Sequence, residues 1–182
     1  MTVFGTRVAP PVAPSSYFGP MRFALLASLL FLCVAFVPGK DKLRERFVYD
    51  HEHVFTPEQV QQLDTLFRGH EMRTSNEIVL VTTNSYHGWP SLYEFAASCG
   101  DSLRVGKRSK NNGMIIAFSK NLREVFMASG LGLEEAMPPA RCQKFVDSLM
   151  LPPFNENRFF DGIWTGSTAV VKHLEQPDNA IK

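Results

Sequence analysis

The sequence has few cysteines, and none at the spacings by which proteins commonly hold zinc. Three cysteines occur in 182 residues, and no CxxC motif is present, so a structural zinc site of the usual type is excluded. Cys33 lies within a long apolar run, while Cys99 and Cys142 have apolar neighbours in helix-like patterns. We therefore expect Cys99 and Cys142 to be buried free thiols and not a disulfide.

The sequence also lacks an excess of charge of either sign. The formal net charge is +1, and no basic stripe follows any segment, which argues against a nucleic-acid partner. The one basic cluster outside the N-terminal region consists of Arg104, Lys107, Arg108 and Lys110. It is short and lies among polar residues, so we interpret it as a solvated loop.

No complete catalytic motif is present either. Ser85, His87 and Ser91 lie close together, but no GxSxG sequence exists to expose a serine nucleophile on a strained turn. Gly130 and Gly132 are not followed by the Lys-Ser/Thr pair of a phosphate-binding loop, and no dinucleotide-binding fingerprint occurs. The sequence therefore gives no direct evidence for a defined enzyme activity.

What the sequence does contain is a long apolar segment near its N-terminus. Residues 23–37 read FALLASLLFLCVAFV, without a charge. This run is shorter than the ~20 residues that comfortably span a bilayer, so residues 21–38 are typical of a signal peptide or a short signal anchor. Residues 1–20 are rich in Pro and Ser, which predicts that they are disordered or precede the true start at Met21. Residues 39–46 form a basic linker.

This segment predicts membrane association and export of the domain that follows it. The basic residues of the linker favour a cytoplasmic position for that domain if the helix is not cleaved, because positive charge is retained inside. The segment has no polar face, however, and its length fits an export signal better than a buried core helix. We expect a periplasmic or other extracytoplasmic location in the cell envelope, with the membrane contacted through residues 21–38.

Residues 47–176 have the pattern of one α/β domain, followed by a tail at 177–182. A helix start is well marked, because Thr56 can cap it, Pro57 suits its first position and Gln59 completes a capping box. Apolar strand-like runs alternate with amphipathic helical patterns through the rest of the domain. The predicted strands are 77–83, 113–118 and 122–128, and residues 46–50 are predicted to be a short strand or an extended entry to the domain. The predicted helices are 57–72, 91–103, 139–151 and 160–175.

Strands that alternate with helices in this way predict a three-layer αβα sandwich. The central sheet is expected to be mostly parallel, with one antiparallel hairpin formed by the last two strands. We expect a tight turn at Lys120-Asn121 with Asn121 left-handed, a flexible break at 130–132, and a helix end at Pro152-Pro153.

Four polar side chains are candidates for a cation site. Glu134 follows the last strand, and Asp50, Asn111 and Asn112 are positioned so that they could converge with it on one sheet edge. Carboxylate and amide oxygens suit calcium or magnesium better than zinc. The alternative is that these residues are ordinary surface groups on two separate loops.

Taken together, several short motifs of the domain resemble the TPM domain. The matching motifs are Val48-Tyr49-Asp50, Phe55-Thr56-Pro57-Glu58, Glu77–Val81, Lys110-Asn111-Asn112-Gly113, Arg123, Ser129–Glu134, Pro153-Phe154 and Phe159–Ile163. They follow the order and spacing of that family from about residue 47 to 174. The resemblance implies an αβα sandwich that is usually exported and often tethered to a membrane. It also implies divalent-cation binding, notably of calcium, and weak acid-phosphatase activity.

Two residues depart from the family pattern: Asn111 stands where the family has Asp, and Leu131 where it usually has Tyr. Loss of a carboxylate weakens a site for a hard cation and any phosphoryl chemistry that depends on it. We therefore expect an envelope-associated accessory module that binds a partner protein and, weakly, calcium or another divalent cation. The alternatives are a weak metal-dependent acid phosphatase with Asp50, Asn111 and Glu134 as ligands, and a purely structural interaction domain.

Overall fold

The computed structural model describes residues 44–179, which contain four strands and five α-helices. The strands are β1 (Val48–Asp50), β2 (Glu77–Thr82), β3 (Gly113–Ser119) and β4 (Glu124–Ser129). The helices are α1 (Pro57–Thr74), α2 (Leu92–Leu103), α3 (Pro139–Phe145), α4 (Leu151–Asn155) and α5 (Phe159–Leu174). A π-helix at Val146–Met150 joins α3 to α4, and 3-10 helices form at Leu131–Leu133 and Pro177–Asn179.

The segments predicted at 1–20 and 21–38, and the basic linker up to residue 43, lie outside the described residues. Within residues 44–179, no helix combines the length and the apolar character needed to cross a membrane.

The strands form one sheet in the order β1-β2-β3-β4, in which β1, β2 and β3 are parallel and β4 is antiparallel to β3. This confirms the predicted sandwich with its single antiparallel hairpin. Helix α1 connects β1 to β2, and helix α2 connects β2 to β3, so both connections move in the same direction across the sheet. They pack on opposite faces, however, α1 on one and α2 on the other. Their hands are therefore opposite, so one crossover is left-handed, which is uncommon between parallel strands.

Side chains alternate between two apolar cores along the central strands, as the period of two requires. On one face, Ile78, Leu80 and Met114 pack with α1, α3, α4 and α5 in the larger core. On the other face, Val79 and Ile115 pack beneath α2 in the smaller core. Both faces of β2 and β3 are thus covered, which explains why their sequences are almost continuously apolar.

Helix α1 begins as the sequence predicts. The Thr56 hydroxyl accepts the amide of Gln59 at 3.3 Å, and the Gln59 side chain accepts the amide of Thr56 at 3.0 Å. This reciprocal capping box satisfies two backbone donors that the helix itself cannot.

The predicted helix end at Pro152-Pro153 is wrong. The helical path continues through the π-helix, where the amide of Leu151 donates to the carbonyl of Val146, and α4 follows with both prolines in its first turn. The wider turn leaves room for the proline rings. Pro152 and Pro153 have no N–H to donate to the preceding turn. The carbonyls left without these donors lie near Asp147 and Ser148, which are exposed, so water can satisfy them.

Two further predictions about loops need correction. The β3–β4 turn spans residues 120–123, and its left-handed residue is Arg123 (φ 59°) rather than Asn121. The glycines at 130 and 132 do not form a flexible break, because the amide of Gly130 donates to Gly113 at 2.7 Å and that of Gly132 to Asn111 at 3.0 Å. A Cβ atom on either glycine would collide with the backbone carbonyls of the loop before β3, so close packing explains both residues.

Candidate functional site

The four residues predicted to share a cation site lie at two opposite ends of the strands. Asp50 pairs with Thr82 at the carboxyl end of the parallel strands. Asn111 and Asn112 precede β3 and therefore lie at the amino end, and Glu134 follows β4, which runs back towards that same end. The five-residue rise from Glu77 to Thr82 is about 17 Å, so Asp50 does not meet the other three. The error came from assigning the turn before a parallel strand to that strand's far end.

Asp50 has a structural task at its own edge. One carboxylate oxygen accepts the amide of Val54 at 3.0 Å and the hydroxyl of Thr82 at 2.6 Å, and the other accepts the amide of Phe55 at 2.9 Å. These three hydrogen bonds fix the loop between β1 and α1. They also occupy most of the acceptor capacity that a cation ligand would need.

At the amino end, Asn112 is buried and its side chain is fully used. Its oxygen accepts the amide of Lys107 at 2.7 Å, and its nitrogen donates to the carbonyl of Ser75 at 2.8 Å and to the side chain of Asn76 at 3.1 Å. The side chains of Asn111 and Glu134 are exposed. The described residues contain no group of three or more His, Cys, Asp or Glu placed to hold a metal. The predicted ligand set therefore does not fit one cation as arranged, and cation binding by any part of it stays a prediction.

The same edge contains a buried network of four charges, which the sequence did not indicate. The Lys107 ammonium lies 2.9 Å from a carboxylate oxygen of Glu71 and 2.9 Å from one of Glu77. The Arg44 guanidinium contacts the other oxygen of Glu77 at 2.9 Å and donates to the carbonyls of Leu103 and Arg104. The interpretation of Lys107 as a solvated loop cation was wrong, because its ammonium joins α1 to β2 inside the protein.

Burial and pairing act in opposite directions within this network. Burial favours the neutral form of Glu77, but hydrogen bonds from Lys107, the Gly106 amide and Arg44 outweigh it and hold the pKa of Glu77 below its usual value. For Lys107, burial favours the neutral amine, yet the bonds to Glu71 and Glu77 raise its pKa above the usual value. Both shifts favour the charged forms, so Glu77 and Lys107 pair with each other as ions at neutral pH.

A cleft lined by aromatic and charged side chains lies at the opposite, carboxyl end of β3. Its volume is about 540 Å³. Its floor consists of Phe118, Phe154 and Phe159, whose ring centroids lie 4.9 to 5.9 Å from one another. Such a volume and an aromatic floor are typical of ligand-binding sites. We call this site the carboxyl-edge cleft; its rim is formed by Glu52, Lys120, Asn121, Arg123, Glu124, Leu151, Asn155 and Asn157.

The cations on the rim have no charged partner among the residues that the structure describes. The Lys120 ammonium lies over the Phe159 ring, 5.5 Å from its centroid, and makes no ion pair. The exposed guanidinium of Arg123 makes neither a hydrogen bond nor an ion pair within residues 44–179. Arg123 and Asn157 are both left-handed (φ 59° and 61°), a conformation that costs energy for residues other than glycine and is often found at binding sites.

The acidic residues of the rim, in contrast, are engaged. The two carboxylate oxygens of Glu52 accept the amides of Lys120 and Asn121 at 2.8 and 2.7 Å, which holds the β3–β4 turn in place. Glu124 accepts the Tyr86 hydroxyl at 2.7 Å. Its neighbour Val125 packs on the larger core, so Glu124 projects from the other face of the sheet, away from the phenylalanine floor.

The groups considered for nucleophilic catalysis are not arranged for it. His87 contacts the hydroxyl of buried Thr83 at 3.1 Å rather than either nearby serine, and Ser91 caps α2. Cys142 is a buried free thiol, as predicted, whereas Cys99 is free but only partly buried. Burial raises the pKa of both and takes that of Cys142 to about 11, so neither is a ready thiolate at neutral pH.

Comparison with known proteins identifies the family. The TPM domain model matches residues 48–173. The structure of the N-terminal domain of a protein from Porphyromonas gingivalis is similar to this chain, with 25% sequence identity and a TM-score of 0.66. The match covers 71% of this chain and 82% of that domain. The BA42 protein of the psychrophilic bacterium Bizionia argentinensis is 16% identical with a TM-score of 0.57, over 72% and 92%.

The N-terminal domain of a Corynebacterium glutamicum protein shares the fold at 9% identity, with a TM-score of 0.58 over 79% of this chain and 91% of its own. No curated protein matches the chain. Because the family model covers well over half of the sequence and these structures share its fold, the chain belongs to the TPM domain family.

Proposed function

We propose that this protein is an accessory module of the cell envelope that acts by binding a partner protein in the carboxyl-edge cleft. The observation that carries the proposal is the pairing of an aromatic floor with two cations, Lys120 and Arg123, that have no charged partner in the described domain. Elsewhere in the domain, the buried charges are neutralised internally. Aromatic and arginine side chains are also the residue types that contribute most to protein interfaces.

The rigidity of the rim supports binding of a partner with little reorganisation. Glu52 fixes the β3–β4 turn through two backbone amides, and the three phenylalanine rings pack against one another beneath it. A site that is already formed loses less conformational entropy when it is occupied. The envelope location is inferred from the apolar segment at residues 21–38, which favours export or anchoring.

A weak metal-dependent acid phosphatase is the alternative suggested by the family resemblance. Of its proposed ligands, Asp50 lies at the opposite end of the strands from Asn111 and Glu134, and it already accepts three internal hydrogen bonds. We therefore expect turnover of p-nitrophenyl phosphate to be at background and insensitive to added calcium or to EDTA. A rate that EDTA abolishes and calcium restores would favour the phosphatase.

Site-specific photo-crosslinking in the producing cells tests partner binding directly. A benzophenone amino acid is introduced at Leu151 or Asn155, which are exposed on the cleft rim, and at Lys172, which is exposed on α5 away from the cleft. We expect one discrete protein adduct from each cleft position and none from Lys172. Absence of adducts at both cleft positions, or equal adducts at all three, would refute binding through the cleft and favour a purely structural domain.

The predicted location is tested separately with C-terminal reporters. We expect a reporter that is active only after export to be active when fused after Lys182. Activity confined to a cytosolic reporter would place the domain in the cytoplasm and refute the envelope assignment.

A further inference from the structure

We infer that the segment bound in the carboxyl-edge cleft is an acidic peptide with an aromatic side chain, an inference that rests on the proposed function. The site offers two kinds of contact at once: cationic groups on the rim and phenylalanine rings below them. Each sets a separate requirement for the occupant, and a peptide with a central aromatic residue between carboxylates meets both.

The first requirement is negative charge. Within the described residues, the Arg123 guanidinium donates to no other group, so it can bind a carboxylate with two parallel hydrogen bonds. Lys120, at the other end of the same four-residue turn, adds a second free cation. Two cations separated by one short turn can contact two carboxylates that flank a single residue of an extended peptide.

Two acidic residues also line the cleft, but neither pairs with Lys120 or Arg123. The Glu52 carboxylate is bound by two backbone amides of the turn, and Glu124 projects towards Tyr86 on the other face of the sheet. Arg158, which follows Asn157 of the rim, is itself paired with Glu156 and Asp161. The charged donors on the rim that pair with no acid among residues 44–179 are therefore Lys120 and Arg123, and a basic peptide would gain no ion pair from them.

The second requirement is an aromatic or other large apolar side chain. Phe118 and Phe154 are nearly buried and Phe159 is partly exposed, so the floor presents ring surface to the cleft at the side of Phe159. Leu151, one of the few large apolar side chains that are exposed, lies on the same rim. A ring inserted here gains edge or offset contact with Phe159 in addition to the burial of apolar area.

Fluorescence anisotropy with four labelled peptides tests the inference on the purified full chain. The peptides are GGEEFEEGG, GGQQFQQGG, GGEEAEEGG and GGKKFKKGG. We expect the acidic Phe peptide to bind most tightly and the Gln or Ala versions to bind about three- to tenfold more weakly, the range for exposed charge pairs and one buried ring. The basic peptide should not bind.

Variants then assign the effect to the two cations. Arg123→Gln and Lys120→Gln should each weaken the acidic peptide about two- to fivefold, whereas Lys172→Gln, a matched loss of one exposed cation, should change affinity less than twofold. The double variant Lys120→Glu/Arg123→Glu should reverse the preference and bind GGKKFKKGG. Unchanged circular dichroism and urea midpoints show that each variant is folded.

The outcomes separate this inference from the proposed function. If the crosslinks at Leu151 and Asn155 form but the acidic and Gln peptides bind alike or not at all, the cleft binds a partner and its acidic character is refuted. If inorganic phosphate displaces the acidic peptide while chloride at equal ionic strength does not, the cleft is a small-anion site and the peptide inference is also refuted. If neither crosslinks nor peptide binding occur, both proposals fail.

Discussion

Replacing Lys107 by methionine should destabilise the domain strongly, although Lys107 lies in a polar loop. Its side chain is only 13% exposed, and its ammonium contacts the carboxylates of Glu71 and Glu77, whose side chains are 0% and 5% exposed, at 2.9 Å each. Methionine keeps the apolar length of the side chain but removes the charge. Among the described residues, Glu71 then keeps only the backbone amide of Arg44 at 3.4 Å, while Glu77 retains the Arg44 guanidinium and the amide of Gly106.

The expected loss follows from this asymmetry. Removal of one partner from a buried ion pair costs about 3–5 kcal/mol, because the remaining charge is left without compensation. We expect the lower part of that range, about 3 kcal/mol, since Glu77 keeps two of its donors. With a urea m-value of about 2 kcal/mol/M, the unfolding midpoint should fall by roughly 1.5 M.

Arg108→Met is the matched control. Arg108 is the next residue, is exposed, and makes no ion pair within residues 44–179, so its replacement should change stability by less than about 0.5 kcal/mol. Urea unfolding at pH 7, followed by circular dichroism, compares the two variants. Equal midpoints for Lys107→Met and Arg108→Met would refute the view that the Lys107 ammonium stabilises the fold.

A second substitution tests whether the uncompensated carboxylate is the cause. Glu71→Gln in the Lys107→Met background removes the isolated charge, so part of the lost stability should return. If the double variant is less stable than Lys107→Met by the full cost of Glu71→Gln alone, the two residues are not coupled. The loss in Lys107→Met would then have to come from packing.

Three further predictions concern other parts of the domain. Burial lowers the pKa of His70, so the folded state binds fewer protons than the unfolded state. The free energy of unfolding should therefore fall as pH drops below about 6.5, and His70→Gln should flatten that part of the profile of urea midpoint against pH. Thr56→Ala should cost about 1 kcal/mol in urea unfolding, because the α1 cap loses its acceptor; an unchanged midpoint would contradict the cap. In thermal melts, Gly132→Ala should destabilise the domain, because the added Cβ would collide with the Lys110 carbonyl. Gly100→Ala, in open space within α2, should instead stabilise it by about 0.5–1 kcal/mol. Melting temperatures that shift in the same direction for both variants would contradict this.

The parts of the fold that the sequence predicted are those set by local signals. The capping box of Thr56 and Gln59 requires only residues three apart, and the strands β2 and β3 follow from apolar runs of the length of a buried strand. The hairpin follows from the short connection between β3 and β4. In each case the residues that determine the element are its own or immediate neighbours.

The parts that were mispredicted depend on residues far apart in sequence. Lys107 meets Glu71 across 36 positions, so nothing near Lys107 indicates that it is buried. Pro152 and Pro153 mark a helix end by the usual rule, and only the π-helix before them allows the path to continue. The placement of Asn112 required knowing which end of β3 its turn adjoins, and this depends on strand direction within the sheet.

The motif residues at the amino end of the strands and the cleft at the carboxyl end serve different purposes in this chain. Asn112 holds Lys107 and the Ser75–Asn76 turn through its buried amide, and the Gly130 and Gly132 backbones pack against the loop before β3. These contacts give Asn112, Gly130 and Gly132 a structural role in which no ligand takes part. The free cations lie about 17 Å away along the strands, beyond the distance at which effects of substitutions usually couple. Substitutions at Lys107 should therefore change stability and leave peptide affinity unaltered, and substitutions at Arg123 should do the reverse.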